Sequence, residues 1–364
     1  MIIFITMNTK PKTKKSVIRK KQVIRKMHSK KGGGDETLPP PPVTDYSNQD
    51  LSNKDFSSKD LRGTNFSGAT LSGANLTGAN LTGARLDGAN LAGATLTGVD
   101  LEGVNLEGSN LEGVDLSHLD LESLNMQRVN LQDTELNKVN LTNANLTGSN
   151  LKFANVQHSL LTGANLTGAN LEYAMLTDAN LEGANLTNAY FRDADLTGAI
   201  LTGADLTGAI LTGADLTGAD LVDAKLTGAD LTGTNLTRVI IDGEELIGAN
   251  LQGAILKGTK LIGANLEGAI LTNANLTGAN LTGADLVNAN LTNAVLTEVN
   301  LSGANLTRAD FTGSTMTTVI VNDNTIITGA NFTDITVENE SVLRRMIDSP
   351  TSTLRAPTTS TQIC

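Results

Sequence analysis

The sequence repeats every five residues. Every fifth position from Tyr46 and Leu51 through Ile326 is Leu, Phe, Met, Ile or Val apart from the initiating Tyr, 57 consecutive units without an insertion. Two residues before each central residue stands a small one, usually Ala, as at Ala69, Ala74, Ala79 and Ala84 and again from Ala164 to Ala229. The position between them is mostly Asn or Asp, and the two that follow are commonly Thr-Gly, Glu-Gly or Thr-Asn. A period of five fits neither ordinary element, because helical faces recur at about 3.6 residues and strand faces at about 2. A helix with Leu at every fifth position would scatter its apolar residues around the cylinder, and each Gly would cost it about 1 kcal/mol relative to Ala. A continuous strand would turn successive Leu residues to opposite faces. The unit predicts instead a short extended piece and a corner, with the central residue and the small residue two before it facing inward. One such unit cannot bury its apolar pair alone, so units must stack into a β-solenoid whose neighbouring coils lie about 4.8 Å apart.

The Ala-Asp/Asn-Leu-Thr-Gly unit resembles the pentapeptide-repeat family, and the resemblance covers residues 46 to 337. It implies an all-β fold, a right-handed quadrilateral β-helix with four units per coil. Four sides are implied by the resemblance and not by the period. At 20 residues per coil the units make about 14 coils, a rod roughly 65–70 Å long.

Departures from the pattern lie mainly at the ends. Gln49, Lys54 and Lys59 occupy inward slots while Phe56 and Phe66 replace Leu, which reads as an N-terminal cap. After Ile326 the phase slips by one residue, and the next apolar positions are Phe332 and Val337. Residues 338–348 predict a short helical cap in which Val342, Leu343, Met346 and Ile347 cover the open end of the core. Residues 349–364, rich in Ser, Thr and Pro, read as a disordered tail. Glu244 falls in an inward slot, where a local bulge around Ile241–Glu245 would let it reach solvent.

Charge divides the chain. Residues 1–31 hold eleven Lys or Arg and no acid, whereas the remainder holds 16 basic and all 38 acidic side chains. Residues 1–45 therefore read as a basic disordered arm, with Gly32–Gly34 as hinge and Pro39–Pro42 as stiff spacer. Its Lys14, Lys15, Arg19, Lys20, Lys21, Arg25 and Lys26 suit contact with nucleic acid across residues 10–31, an import signal or an anionic membrane, or serve only as a solubilising tail. No stretch reaches the 18 or so apolar residues of a membrane helix. Many Asn-Leu-Thr triplets would be glycosylation acceptors in a secreted eukaryotic protein, which favours an intracellular location, cytoplasm or nucleus.

Chemistry-bearing residues are thin. Three His and one Cys, the terminal Cys364, leave little material for a metal site, and no cofactor is expected. His118 and His158 share a column but stand two coils apart, near 9–10 Å, too far to hold one metal. Nucleotide-binding loops and nucleophile elbows are absent from the sequence. Asp alternates freely with Asn before the central Leu, which a general acid or base would not tolerate, so the expectation is a non-enzymatic protein.

Two surfaces remain as candidates for partner binding. The first is an acidic belt, Asp100, Glu102, Glu107, Glu112, Asp115, Asp120 and Glu122, with like charges stacked one coil apart. Some members of the resembled family mimic duplex DNA and inhibit type II topoisomerases, which implies a test by charge density. Residues 46–337 hold 32 acidic and 13 basic side chains, about one net charge per 3.5 Å against about 1.7 Å for DNA. The belt reads as a site for something positive or as a solvated surface that keeps a long rod soluble. The second is an apolar patch, Phe153, Tyr173, Tyr190 and Ile210, rimmed by Lys152 and Arg192. It reads as an interface, with a protein partner or a second copy of the chain, or as a ring ladder that only stabilises the solenoid.

Overall fold

The computed structural model describes residues 44–337 apart from His118 and Glu244. The chain divides into residues 1–40 and residues 41–364, and all described residues belong to the second unit. The basic arm, the cap expected at 338–348, the tail 349–364, His118 and Glu244 lie outside the described residues.

The described units repeat one backbone pattern. An outward residue forms a parallel bridge to the residue twenty positions on, from Asp45 to Asn65 through Asn300 to Ile320, except at Thr95 and Asp100. A repeat of twenty with a unit of five makes four sides per coil. We number the faces by their first central residues: face 1 from Tyr46, face 2 from Leu51, face 3 from Phe56 and face 4 from Leu61. Hydrogen bonds run from coil to coil, as where Leu71 N–H donates to Asn90 C=O (2.7 Å) and Asn90 N–H to Ala69 C=O (2.9 Å). The corner closes on itself, Ala74 N–H donating to Leu71 C=O at 2.9 Å.

The expected orientation of the side chains holds. Central Leu residues and the small residues two before them form one continuous buried core, from Leu51 to Ala330. Burial of each Leu contributes about 1.5–3 kcal/mol, while Ala in the second slot lets the faces approach closely. Asn or Asp precedes the central residue because its side-chain oxygen accepts the N–H two residues on. Thr77 N–H to Asn75 Oδ1 (3.1 Å) and Thr197 N–H to Asp195 Oδ1 (2.9 Å) are examples. Only an acceptor is needed, which is why the two residue types interchange.

Both described ends carry rings. Tyr46 stacks on Phe66 at 5.4 Å, Phe56 meets both edge-on at 6.0 and 5.9 Å, and Gln49, Lys54 and Lys59 are exposed beside them. At the other end Phe311 stacks on Phe332 at 5.0 Å. One sequence expectation is corrected there. Ile326 is not a central residue: it occupies an outward bridging slot, and Ile327 is the buried one. The extra residue therefore enters before Ile326, and the bridges shift to twenty-one positions, Asn305 with Ile326 and Asp310 with Asn331. Polar side chains replace the interrupted ladder. Asn322 Oδ1 and Thr325 Oγ1 both accept the Gly303 N–H (2.9 and 3.1 Å), and Thr325 Oγ1 donates to Leu301 C=O (3.0 Å).

Candidate interaction surfaces

The third corner position of each unit requires positive φ. Among the described residues 33 glycines and 23 other residues adopt it. Phe153 (φ 60°) and Tyr173 (φ 58°) are the aromatic ones; the other twenty-one are Asn, Asp, Ser, Thr, Arg, Lys, His or Glu. A side chain in this region costs about 1–2 kcal/mol, least for short polar residues. Both rings stand at the corner between faces 2 and 3, one coil apart, with centroids 5.2 Å apart and planes 17° from parallel. Lys152 Nζ lies 5.3 Å from the Phe153 centroid and 5.4 Å from that of Tyr173, and Glu172 accepts from it at 3.1 Å. Nearly half of each residue remains exposed, 44% and 43%.

The rest of the apolar patch is rearranged relative to expectation. Tyr190 bridges to Ile210 on face 2, as the spacing implies, and Tyr190 is exposed. Ile210 is half-buried. Arg192 is exposed beside the patch. Met175, exposed on face 3 two residues after Tyr173, was missed, although it stands in a slot that Asn or Asp normally holds.

The belt forms a girdle. Asp100, Glu102, Asp120 and Glu122 gather on face 4, whereas Glu107 lies on face 1, Glu112 on face 2 and Asp115 on face 3. Arg128 pairs with Glu107. Asn140 Nδ2 donates to Asp120 (2.9 Å) and Glu122 (3.1 Å) from one coil above.

Elsewhere carboxylates serve the corners. Asp205 is held below the usual carboxylate range, first by the Thr207 hydroxyl, and further by the Thr207 N–H (3.1 Å) and by Lys225 at 3.8 Å, against the opposing effect of its desolvation. His158 Nδ1 lies 3.5 Å from Asp178. Among the described residues no group of three His, Cys, Asp or Glu is arranged to hold a metal ion. Among them too, no helix is long and apolar enough to cross a membrane.

The family model described as Pentapeptide repeats fits eight times, over residues 47–78, 79–117, 89–127, 125–163, 164–203, 199–238, 245–278 and 274–313. No curated protein matches the sequence. Among solved structures, HetL of the cyanobacterium Nostoc sp., a pentapeptide repeat protein involved in regulating heterocyst differentiation, is 34% identical, with 68% of this chain and 93% of that one covered and a TM-score of 0.25. QnrB1, a plasmid-mediated fluoroquinolone resistance protein, is 17% identical over 65% of this chain and 95% of its own, with a TM-score of 0.24. A pentapeptide repeat protein of the Arabidopsis thaliana thylakoid lumen is 32% identical over 35% of this chain and 70% of its own, with a TM-score of 0.15. With more than half of its residues under the family model and one five-residue unit wound through its whole described length, the chain belongs to the pentapeptide repeat family.

Proposed function

We propose that this is a non-enzymatic, intracellular interaction protein whose right-handed solenoid of about 14 coils presents its flat sides to a protein partner. The contact surface is the corner between faces 2 and 3 around Phe153 and Tyr173. The observation that carries the reading is the placement of two large rings at positive φ. Their backbone cost, about 1–2 kcal/mol each, roughly cancels what stacking (about 0.5–1.5) and a cation over the rings (about 0.5–1) return. Residues that do not improve the solenoid are explained by what they offer to a partner, and exposed aromatics with a charged rim suit that role.

A second reading has its own observation. The clustering of Asp100, Glu102, Asp120 and Glu122 on face 4 favours a DNA-mimicking regulator of a DNA-binding protein such as a type II topoisomerase. The low charge density and the spread of Glu107, Glu112 and Asp115 over the other faces weigh against it. A nucleic-acid tether through residues 10–31 and a homodimer through the aromatic corner complete the set.

Nuclease-treated affinity capture from source-cell lysate separates these readings. The full chain is compared with full-length Phe153→Ser/Tyr173→Ser and with Asp100→Asn/Asp120→Asn. A protein retained by the first and third but lost from the second supports the proposal. Unchanged binding by the ring variant overturns it, and loss in the acidic variant alone transfers the site to face 4.

A further inference from the structure

Among the described residues, and apart from the shift of register before Ile326, the parallel ladder that joins successive coils lacks bridges at one junction, between residues 93–103 and the residues that follow from 112, His118 excluded, one coil above. Asn80 bridges to Asp100 and Asp120 to Asn140, yet Asp100 and Asp120 share no bridge, nor do Thr95 and Asp115. Among the described residues the N–H groups of Leu96, Gly98, Leu101 and Gly103 make no bond to the coil above. Their equivalents on the same faces one hundred residues on are all bonded: Leu196 to Asp215 (2.7 Å), Gly198 to Thr217 (3.0 Å), Leu201 to Asp220 (2.7 Å) and Gly203 to Val222 (2.8 Å). The corners within each coil survive, with Val99 N–H donating to Leu96 C=O at 3.2 Å and Leu119 N–H to Leu116 C=O at 3.1 Å. The corners at Val99 and Leu119 therefore survive while bonds between the two coils are missing. Val99 and Leu119 accordingly show 8% and 7% exposure, where the central core is at 0–1%.

Two causes coincide at this junction. Inside, slots that usually hold Ala carry Val99 and, one coil above, Leu119, which overfills a core built for small residues. Outside, Asp100 lies under Asp120 and Glu102 under Glu122, and like charges directly opposite in a sheet repel. The junction above provides the comparison. Leu119 also packs beneath Val139, but there Asn140 donates to both Asp120 and Glu122 and the ladder is closed, Leu121 N–H reaching Asn140 C=O at 2.9 Å. Stacked acids alone do not open a junction either, because Asp115 bridges normally to Glu135. Overfilling makes the junction yield, and the paired carboxylates hold it apart.

We infer that this junction is a charge-set seam, a joint at which the rod opens at low salt and closes when the facing carboxylates are screened or neutralised. It lets the coils below residue 103 tilt against those above, and it couples any cationic surface that approaches face 4 to the shape of the solenoid. Asp100, Glu102 and Asp120 are exposed and Glu122 is half-buried, so screening by salt reaches the facing pairs.

Amide hydrogen exchange on the full chain tests the seam, with rates normalised for local sequence. Leu96, Gly98, Leu101 and Gly103 should exchange at least about tenfold faster than Leu196, Gly198, Leu201 and Gly203 at low salt, and the ratio should fall toward one near molar salt. Asp100→Asn/Asp120→Asn with Glu102→Thr/Glu122→Thr should bring it toward one without added salt. Leu119→Ala should do the same by relieving the core, which keeps the test independent of the charge variant. Equal exchange at the two sets in the unaltered protein overturns the seam. Fast exchange that neither salt nor the charge variant slows overturns its control by charge.

Discussion

The rings of Phe153 and Tyr173 stack at 5.2 Å from two corner positions that both require positive φ. A ladder of rings in a sheet ordinarily stabilises it. Here each ring sits on a backbone conformation that glycine would hold without strain. We expect Phe153→Gly to change the stability of the solenoid by no more than about 1 kcal/mol, because relief of strain offsets the lost stacking. Thermal melting measures this, and a loss of about 2 kcal/mol or more would make the ladder structural and remove the support for an interface at this corner.

Ser149 and Ser159 fill equivalent inward slots with opposite consequences. The Ser149 hydroxyl is buried and has no hydrogen-bond partner. That of Ser159 donates to Leu136 C=O (2.5 Å) and accepts from Val139 N–H (3.2 Å). Ser149→Ala should stabilise the protein by about 1 kcal/mol, since it removes an unsatisfied group at a site where Ala is the usual occupant. Ser159→Ala should destabilise it by a similar amount. Melting curves of the two variants should move in opposite directions.

Asp205 gives the fold a defined acid response. Its pKa is depressed in the folded chain, first by the Thr207 hydroxyl. The stability it contributes is therefore present above the unfolded aspartate pKa and is lost as pH falls through the lower folded value. Asp205→Asn keeps an acceptor for the Thr207 N–H but does not titrate. The melting temperature of the unaltered protein should exceed that of the variant near neutrality, with the gap closing as pH falls from about 5 toward 2. A gap that does not narrow would show that the carboxylate charge contributes nothing here.

Legibility of the fold varied with the kind of information each residue carries. A spacing of twenty equals one coil, so the stacking of Phe153 on Tyr173 followed from residue numbers once four units per coil were assumed. Ile326 was misread because an apolar residue does not announce its side. Ile320, Ile326 and Ile270 all stand outward, and Ile327 inward, on the same chemistry. What places the extra residue is the set of bonds that Asn322 and Thr325 make to Gly303 and Leu301, and those donors and acceptors lie about twenty positions away. Ile210 stands outward, as its slot implies, although half-buried, while Met175 was overlooked although it stands in an Asn or Asp slot.

The five-residue period by itself determined a solenoid, the inward direction of Leu and Ala, and the corner chemistry of Asn, Asp and Gly. These are local requirements, satisfied or broken within one unit, and they repeat identically. Tertiary structure alone decided whether neighbouring coils close on one another. The junction beneath Leu119 lacks the bridge that the one above it makes, although Leu119 fills an inward slot between the two. The balance there is between core volume and charge summed across two coils, a nonlocal quantity that no single unit contains.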